Sequence, residues 1–477
     1  MATPSNRRDF LKASAAVGAG FWIATREGLA QNRSPNERIN VASIAVGGKG
    51  DSDSNDAGRL GNLVAICDVD ENTLNRKAEK FPKAKKYTDF RKMLDEMGKE
   101  IDAVTVSTPD HQHAFAALLA ISMGKHAYVQ KPLCHDVWEA RTLTLAAKKH
   151  RVCTQMGNQG TSTDGLRKAV DAVRAGLIGQ VSEVHVWTNR PVWPQGTNAV
   201  LGIPGVNDAI YKGEAAASRP PRTLHWDEWI GTAPMRAYYP DTYHTFKWRG
   251  WWDFGTGALG DMACHTANMA FMACELGYPT LLQAETSEFN NQTFPTWSIV
   301  RYDFPERRSQ SGGTLAPLKW TWYDGGNDKP RWINEKLKEL AGGRDIPGSG
   351  SLLIGDKATL FSPNDYGEDW VILPKGESRE IKRDDFKVEE KLPRAHGQHM
   401  EEWFKAMHAG KPELALSNFG YAGPLTETVV LGCIAQRFAP RKLEWDGPNM
   451  KIPNMKEPNN FIKRQYRSGW ELPGSLV

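Results

Sequence analysis

The chain has 477 residues, of which 40% are hydrophobic and 24% are charged, and its formal net charge is +4. This composition is typical of a soluble globular protein with two domains, and the absence of a basic stripe interleaved with aromatic residues argues against nucleic-acid binding. The six cysteines show neither CxxC pairs nor metal-ligand spacing, so they predict neither a disulfide framework nor a metal site.

Residues 6–20 read NRRDFLKASAAVGAG, which resembles a twin-arginine export signal. The apolar run at 13–24 is too short to span a bilayer, and small residues before position 30 predict cleavage after Ala30. We therefore expect residues 1–30 to be a signal peptide read by the twin-arginine translocon. The mature protein is expected to be periplasmic or otherwise exported, with no stable membrane insertion after cleavage.

Short apolar segments alternate with helical patterns between residues 39 and 156; the segments are 39–46, 62–70, 101–108, 125–130 and 151–156. Continuous apolar strands separated by helices, such as the one predicted at 111–124, indicate a parallel sheet covered on both faces. The predicted fold class is α/β, with a Rossmann-type doubly wound sheet in a dinucleotide-binding domain at 36–158.

The first predicted strand ends in a glycine-rich turn. The GxGxxG template falls on Ala45, Gly47 and Gly50, with Gly48 between them, so the first glycine is missing. Asp68 ends the second strand, where an acid holds a ribose 2′-hydroxyl and repels a 2′-phosphate, so NAD is favoured over NADP. Three aspartates in the following helix are expected to oppose anion binding, and a plain tight turn without a nucleotide is the alternative.

After Met156 the predicted strands lengthen and alternate polar with apolar residues, at 181–189, 297–304, 316–325 and 351–362. This pattern indicates a large, mostly antiparallel sheet with one open face, in an α+β domain at 159–477. Late helices are predicted at 399–410 and 424–438, and the Gly- and Pro-rich stretch 190–225 is interpreted as an insertion near the cleft.

The segment WRGWWDF at 248–254 concentrates tryptophans around an arginine. Aromatic faces stack on the apolar faces of sugar rings, and Arg249 can bind hydroxyls or a carboxylate. Arg249 and Trp252 are therefore candidate substrate contacts, with a structural loop of buried indoles as the equal alternative.

Three segments, VSTPDHQHA (106–114), VQKPL (129–133) and GALGDMACHTANM (257–269), together resemble the Gfo/Idh/MocA family of nicotinamide-dependent sugar and cyclitol oxidoreductases. The resemblance extends over nearly the whole mature chain. It implies that Lys131 is the family's Lys-Pro lysine and that Asp261 and His265 are its Asp-x-x-x-His pair.

The resemblance also implies a cofactor site. Thr108, Pro109 and His113 match the loop beside the nicotinamide, and Asp68 matches the ribose acid. Gln130 stands where the family usually has glutamate, which alters how the cofactor ribose and Lys131 are held. The whole predicted cofactor-binding set is Ala45, Gly47, Gly48, Gly50, Asp68, Thr108, Pro109, His113, Gln130 and Lys131.

Oxidising a sugar C–OH requires removal of the hydroxyl proton while hydride leaves for the nicotinamide. A neutral imidazole accepts a proton near pH 7, so His265 is the predicted base, and Lys131 can stabilise the developing alkoxide. Asp261, one helical turn before His265, would bind a neighbouring hydroxyl or orient the base. Zinc is a further possibility at Asp261 and His265, but the sequence offers no third residue with comparable evidence of being a ligand. Three other histidines (His111, His135 and His150) are interpreted as ordinary helix-end or surface residues.

Three functions remain open: a sugar or polyol dehydrogenase, a redox-neutral NAD-dependent glycoside hydrolase or lyase, and a non-catalytic exported sugar-binding protein. Free NAD is expected to be scarce outside the cytoplasm, so the cofactor should be bound tightly and exported with the folded chain. The resemblance implies that the domain at 159–477 binds substrate and that its open sheet face mediates oligomerisation, so a homodimer or homotetramer is expected.

Overall fold

The computed structural model describes residues 38–196, 217–377 and 379–472. The signal peptide predicted at 1–30 and residues 197–216 of the predicted insertion lie outside the described residues. Across these three ranges, no helix combines the length and the apolar character needed to cross a membrane.

The first sheet has six parallel strands in the order β3-β2-β1-β4-β5-β6. They are β1 (Asn40–Ile44), β2 (Asn62–Cys67), β3 (Lys85–Tyr87), β4 (Ala103–Val106), β5 (His126–Val129) and β6 (Thr154–Met156). Five helices connect them: α1 (Lys49–Leu60), α2 (Glu71–Lys80), α3 (Phe90–Met97), α4 (Asp110–Ser122) and α5 (Val137–His150). This arrangement confirms the predicted Rossmann-type half of the α/β fold.

The strand order reverses between β1 and β4, which are neighbours in the sheet although β2 and β3 separate them in the chain. Val41, Ala42 and Ile44 of β1 are almost fully buried because helices cover both faces. In open α/β sheets, ligands bind at the carboxyl ends of the strands beside such a reversal. The glycine-rich turn after β1 lies at this position.

The second sheet has nine strands in the order β16-β15-β14-β13-β7-β12-β9-β8-β17, and only β7 and β12 pair in parallel. They are β7 (Val181–Trp187), β8 (Leu281–Thr286), β9 (Ser298–Phe304), β12 (Leu318–Tyr323), β13 (Gly350–Gly355), β14 (Ala358–Ser362), β15 (Val371–Pro374), β16 (Ile381–Lys382) and β17 (Lys442–Glu444). A separate hairpin joins β10 (Arg307–Arg308) to β11 (Thr314–Leu315). The predicted large antiparallel sheet is confirmed.

The remaining helices lie around this sheet or connect it to the first one. They are α6 (Asp164–Arg174), α7 (Trp226–Ile230), α8 (Gly257–Thr266), α9 (Asn268–Ala273), α10 (Arg331–Leu340), α11 (His399–Ala409) and α12 (Phe419–Arg437). Short 3₁₀ turns cover Gln159–Ser162, Lys247–Gly250, Arg383–Asp385, Pro412–Leu414 and Glu457–Phe461.

The segment 351–362, which the sequence predicts as one strand, is a hairpin of β13 and β14. The chain turns at Asp356, whose Oδ1 accepts a hydrogen bond from the backbone of Gln180 at 2.9 Å. Gly355 lies so close to Ile178 that a Cβ there would stand 1.9 Å from the Ile178 carbonyl oxygen. The strands are joined by a tight turn at Asp356 and Lys357, and the Gly355-Asp356 pair is a local turn signal within the apolar run.

The second sheet is less open than predicted. Ile333 and Leu337 of α10 are fully buried against Trp187, Tyr323 and Leu352 of the sheet. Part of the face that the sequence leaves free for oligomerisation is therefore covered by this chain's own helix.

The late helices return to the first sheet. Trp403 of α11 is fully buried and donates its indole N–H to the carbonyl of Cys153 at 3.0 Å. α12 packs on α5, where Thr144 donates to the Phe419 carbonyl at 3.1 Å. The two predicted domains therefore share a continuous core, and the boundary at 158/159 stays a prediction.

Candidate active site

A cavity of about 760 Å³ lies at the carboxyl ends of the first-sheet strands. Segments of the second half of the chain close it, including Lys247–Gly250 and α8. Most residues predicted from the sequence line this cavity: Ala45, Gly47, Gly48, Asp68, Thr108, Pro109, His113, Gln130, Lys131, Arg249, Asp261 and His265. Gly50 and Trp252 do not line it.

The turn after β1 fits close approach of a ligand to the backbone. Gly48 has φ +53°, and a Cβ there would meet no atom within 4 Å, so its backbone faces open space. Gly50 is needed for packing instead, because a Cβ would stand 2.0 Å from the carbonyl oxygen of Ala45. Ala45 itself has φ +62°, a left-handed conformation that glycine adopts more readily. The missing first glycine therefore leaves the turn intact but strained.

Asp68 holds this turn in place. Its Oδ2 accepts a hydrogen bond from the backbone N–H of Val46 at 2.9 Å, and its Oδ1 accepts from that of Asp70 at 3.0 Å. Burial raises the pKa of Asp68, and these backbone donors oppose the shift. Asp68 thus shapes the glycine turn as well as lining the cavity.

The aspartates of α1 are neutralised rather than repulsive. Asp51 pairs with Lys77 at 2.6 Å, and Asp53 pairs with Lys49 at 2.8 Å. Asp56 lies 3.5 Å from Arg59. The predicted obstacle to anion binding at this helix is therefore offset by cations. Lys49 and Arg59 lie at helical spacing from their aspartates, whereas Lys77 comes from the next helix.

Lys131, Asp261 and Arg249 form one charge cluster on the cavity wall. Lys131 Nζ donates to Asp261 Oδ1 at 2.8 Å and to its carbonyl oxygen at 2.5 Å, and Arg249 Nε donates to the same Oδ1 at 3.0 Å. Burial opposes ionisation of Asp261, but the two cations hold its pKa below the usual value. Arg249, predicted as a substrate contact, is thus engaged by a carboxylate of this chain.

His265 lies one turn after Asp261 on α8, as the sequence predicts. Burial, followed by the charge of Lys131, lowers the pKa of His265 well below its usual value, so the imidazole is neutral near pH 7. Its Nδ1 is buried and has no hydrogen-bond partner in the described part of the chain. The ring of Tyr366 packs edge-on against it, with 4.9 Å between ring centroids.

His113 connects the loop after β4 to the loop after β5. Its Nδ1 lies 2.8 Å from the carbonyl oxygen of Pro132, and its Nε2 lies 2.7 Å from that of Thr108. Burial lowers the pKa of His113 to about 4, and the two carbonyl acceptors oppose this shift because they favour the doubly protonated ring. His113 therefore fixes the position of the residue that follows Lys131.

Trp252 does not reach the cavity. Its indole is 5% exposed, packs on Phe294 with 3.5 Å between ring centroids, and lies under the guanidinium of Arg437 at 3.8 Å. The structural alternative, a buried indole, therefore describes Trp252.

Of the histidines interpreted as helix-end or surface residues, His111 is buried and His135 is partly buried. His111 Nε2 lies within hydrogen-bonding distance of the carbonyl oxygens of Trp229 and Ile230, at 3.2 and 3.1 Å. His135 Nε2 lies 3.0 Å from the carbonyl oxygen of Trp252. Both rings contact segments remote in sequence, which local patterns do not reveal.

Asp110 and Tyr366 are among the cavity residues that were not identified from the sequence. Asp110 is 3% exposed, accepts a hydrogen bond from Thr256 Oγ1 at 2.6 Å, and has its pKa raised by burial to about 7. The sequence could have indicated Asp110, since it directly follows the predicted cofactor residues Thr108 and Pro109 at the start of α4. Tyr366 lies on the loop after β14 and carried no sequence signal.

Comparisons with known proteins agree with this geometry. Residues 14–158 match a family model described as "Oxidoreductase family, NAD-binding Rossmann fold", residues 207–308 match the C-terminal alpha/beta domain of the same family, and residues 4–21 match a twin-arginine signal sequence.

Several curated relatives are named as glycosidases. The chain is 30% identical over 214 residues to a glycosyl hydrolase family 109 protein of Saccharopolyspora erythraea. It is 31% identical over 205 residues to an α-N-acetylgalactosaminidase of Shewanella oneidensis. Each match spans 37% of this chain and 44% of the relative, so the chain matches less than half the length of these proteins.

Solved structures share the fold over most of the chain. An inositol dehydrogenase homologue of Azotobacter vinelandii, in complex with NADH and myo-inositol, has a TM-score of 0.55 at 14% identity and covers 86% of this chain and 98% of its own. A levoglucosan dehydrogenase with NADH and levoglucosan has a TM-score of 0.54 at 15% identity, covering 87% and 99%. The chain therefore belongs to the Gfo/Idh/MocA family of oxidoreductases, with an NAD-binding Rossmann fold and a twin-arginine export signal.

Proposed function

We propose that this protein is an exported NAD-dependent oxidoreductase that acts on a CH–OH group of a sugar, polyol or glycoside. The main support for this proposal is that Lys131, Asp261 and His265 line the same cavity as the glycine turn and Asp68. Chemical groups suited to removing a hydroxyl proton thus face the expected position of a dinucleotide.

The residues present fit a dinucleotide. Gly48 leaves backbone open to the cavity for a pyrophosphate, and Gly47 lines the same cavity. Asp68, at the end of β2, is placed to accept from a ribose hydroxyl. The nicotinamide, when bound, supplies a hydride acceptor. We further propose that these residues bind the dinucleotide and that the two domains comprise residues 36–158 and 159–477.

His265 is the proposed acceptor of the substrate hydroxyl proton, because its imidazole lines the same cavity as Lys131 and its buried Nδ1 has no hydrogen-bond partner among the described residues. The Lys131 ammonium stabilises the negative charge that develops on the same oxygen. Asp261 holds Lys131 and Arg249 in place. Asp110, whose pKa is about 7, supplies a second proton-transfer group in the same cavity.

The glycosidase names of the relatives favour a second candidate, redox-neutral glycoside cleavage. Temporary oxidation of a ring hydroxyl to a ketone acidifies the adjacent C–H. Loss of that proton then expels the glycosidic group, water adds to the unsaturated sugar, and the ketone is reduced back. This cycle needs no cofactor exchange, which suits a protein exported with its cofactor, and it requires a proton-transfer group besides the hydroxyl's base.

Purified protein incubated with a panel of sugars and glycosides, followed at 340 nm and by product chromatography, separates the candidates. Net accumulation of reduced nicotinamide supports the dehydrogenase, and glycoside cleavage without it supports the redox-neutral cycle. Lys131→Ala and His265→Ala are expected to abolish either activity. Turnover that survives both substitutions would refute the site, and sugar binding without turnover would favour a non-catalytic protein.

A further inference from the structure

The side chain of Gln130, which precedes Lys131, has a fixed orientation. Its Nε2 donates to Asp53 Oδ2 at 2.8 Å. A carboxylate only accepts hydrogen bonds, so the amide must turn its N–H side toward Asp53. Gln130 lines the cavity, and its Oε1 has no hydrogen-bond partner among the described residues. One acceptor at the cavity wall is therefore left for a ligand.

Asp53 ties together the ends of three elements around the cavity. It is 2% exposed, and its Oδ1 accepts from Lys49 Nζ at 2.8 Å. Its Oδ2 accepts from Ser107 Oγ at 2.8 Å as well as from Gln130. Lys49 lies at the start of α1, Ser107 lies directly after β4, and Gln130 lies directly after β5. One carboxylate therefore links the glycine turn to the segment that carries Lys131.

Gly157 leaves space for this amide. A Cβ at Gly157 would stand 2.5 to 2.6 Å from the Nε2, Cδ and Oε1 atoms of Gln130. The amide group thus lies against the Gly157 backbone on one side and against Asp53 on another, which restricts it to the observed orientation.

We propose that Asp53 is a positioning residue of the cofactor site. It orients the amide of Gln130 so that Oε1 accepts a hydrogen bond from a ribose hydroxyl of the bound dinucleotide. This inference rests on the proposed function, because it concerns the same dinucleotide. A glutamate at 130 would bring a second carboxylate against Asp53, and two like charges at this distance repel strongly in a buried site. Asp53 therefore requires the glutamine.

The test exchanges the carboxylate at position 53 with the amide at position 130. Gln130→Glu is expected to weaken NAD binding at least tenfold at pH 8 because of the paired carboxylates, measured by calorimetric titration of protein that has been freed of cofactor by unfolding and refolding. The double variant Asp53→Asn with Gln130→Glu restores an amide-to-carboxylate hydrogen bond in the opposite direction, so its affinity should return to within threefold of the wild type. Asp56→Asn, a more exposed position on the same helix, should leave the affinity unchanged.

A titration in pH distinguishes charge repulsion from misfolding. The affinity of the Gln130→Glu variant should recover as the pH falls, since protonating one carboxylate removes the repulsion, and the double variant should not show this recovery. Wild-type affinity in Gln130→Glu, or a double variant that binds no more tightly than Gln130→Glu, would overturn the proposal.

If Gln130→Glu does not fold, Gln130→Met replaces it in the measurement of NAD affinity, because methionine removes Oε1 without adding charge. Wild-type affinity in Gln130→Met would equally overturn the proposal. A wild-type protein that binds no dinucleotide would instead refute the proposed function, and this inference with it.

Discussion

Replacing Asp110 by asparagine removes a charge from the cavity while keeping the shape of the side chain. The carboxyl is buried at the start of α4, and Thr256 can donate to an amide oxygen as it does to Oδ2. Burial raises the pKa of Asp110 from the model-peptide value of 3.8 to about 7. The folded protein therefore binds a proton at pH 5 that the unfolded chain has released.

This difference makes folding stability depend on pH. A pKa raised on folding stabilises the folded state below the unfolded value, and the stabilisation is lost as the pH rises to the folded value. Between pH 5 and pH 8, a carboxyl with these two pKa values lowers the free energy of unfolding by about 2.5 kcal/mol. Asp110→Asn is expected to remove this decrease, so the variant is more stable than the wild type at pH 8.

Urea unfolding at pH 5 and pH 8 measures the effect as a difference between the two proteins. Asp324 is a matched control, because burial also raises its pKa to about 7, but it hydrogen-bonds to Ser298 and Trp322 and does not line the cavity. Asp324→Asn should remove a similar pH slope and leave the pH profile of activity unchanged, whereas Asp110→Asn should alter both. An unaltered slope in Asp110→Asn would refute the pKa argument, and an unaltered activity profile would refute the proton-transfer role.

Further changes probe the other parts of the site. Asp261→Ala leaves Lys131 and Arg249 without their carboxylate and should cost about 3 kcal/mol in urea unfolding; a loss below about 1 kcal/mol would show that the cluster is well solvated. Gly50→Ala should destabilise the protein by about 1–3 kcal/mol and impair NAD binding, because its Cβ would overlap the Ala45 carbonyl. Gly277→Ala, whose Cβ meets no atom within 4 Å, is the control and should be neutral. Finally, NAD should remain bound through extensive dialysis of the native protein, and mass spectrometry of the denatured supernatant would reveal its absence.

The elements that follow from local pattern were predictable. Apolar strands of β-branched residues with intervening helices indicated the parallel sheet, and five of its six strands were located to within about three residues; β3, which is short and polar, was missed. The Lys-Pro and Asp-x-x-x-His motifs predicted Lys131, Asp261 and His265 as site residues, because residue type and short spacing are local properties. The break in the segment 351–362 was missed, since the apolar residues on both sides of Gly355-Asp356 read as one strand.

The sequence by itself determined the fold class, the export signal and twelve of the residues that line the cavity. Tertiary structure decided which of these residues contact one another across the fold. Asp53 was expected to repel anions; Lys49 lies at helical spacing from it, but Ser107 and Gln130, which also donate to its carboxylate, come from distant segments. Arg249, the predicted substrate contact, lines the cavity, and the fold adds a hydrogen bond from its Nε to Asp261. The physical reason is that charge pairing and burial depend on distances between segments far apart in the chain, and residue spacing does not specify those distances.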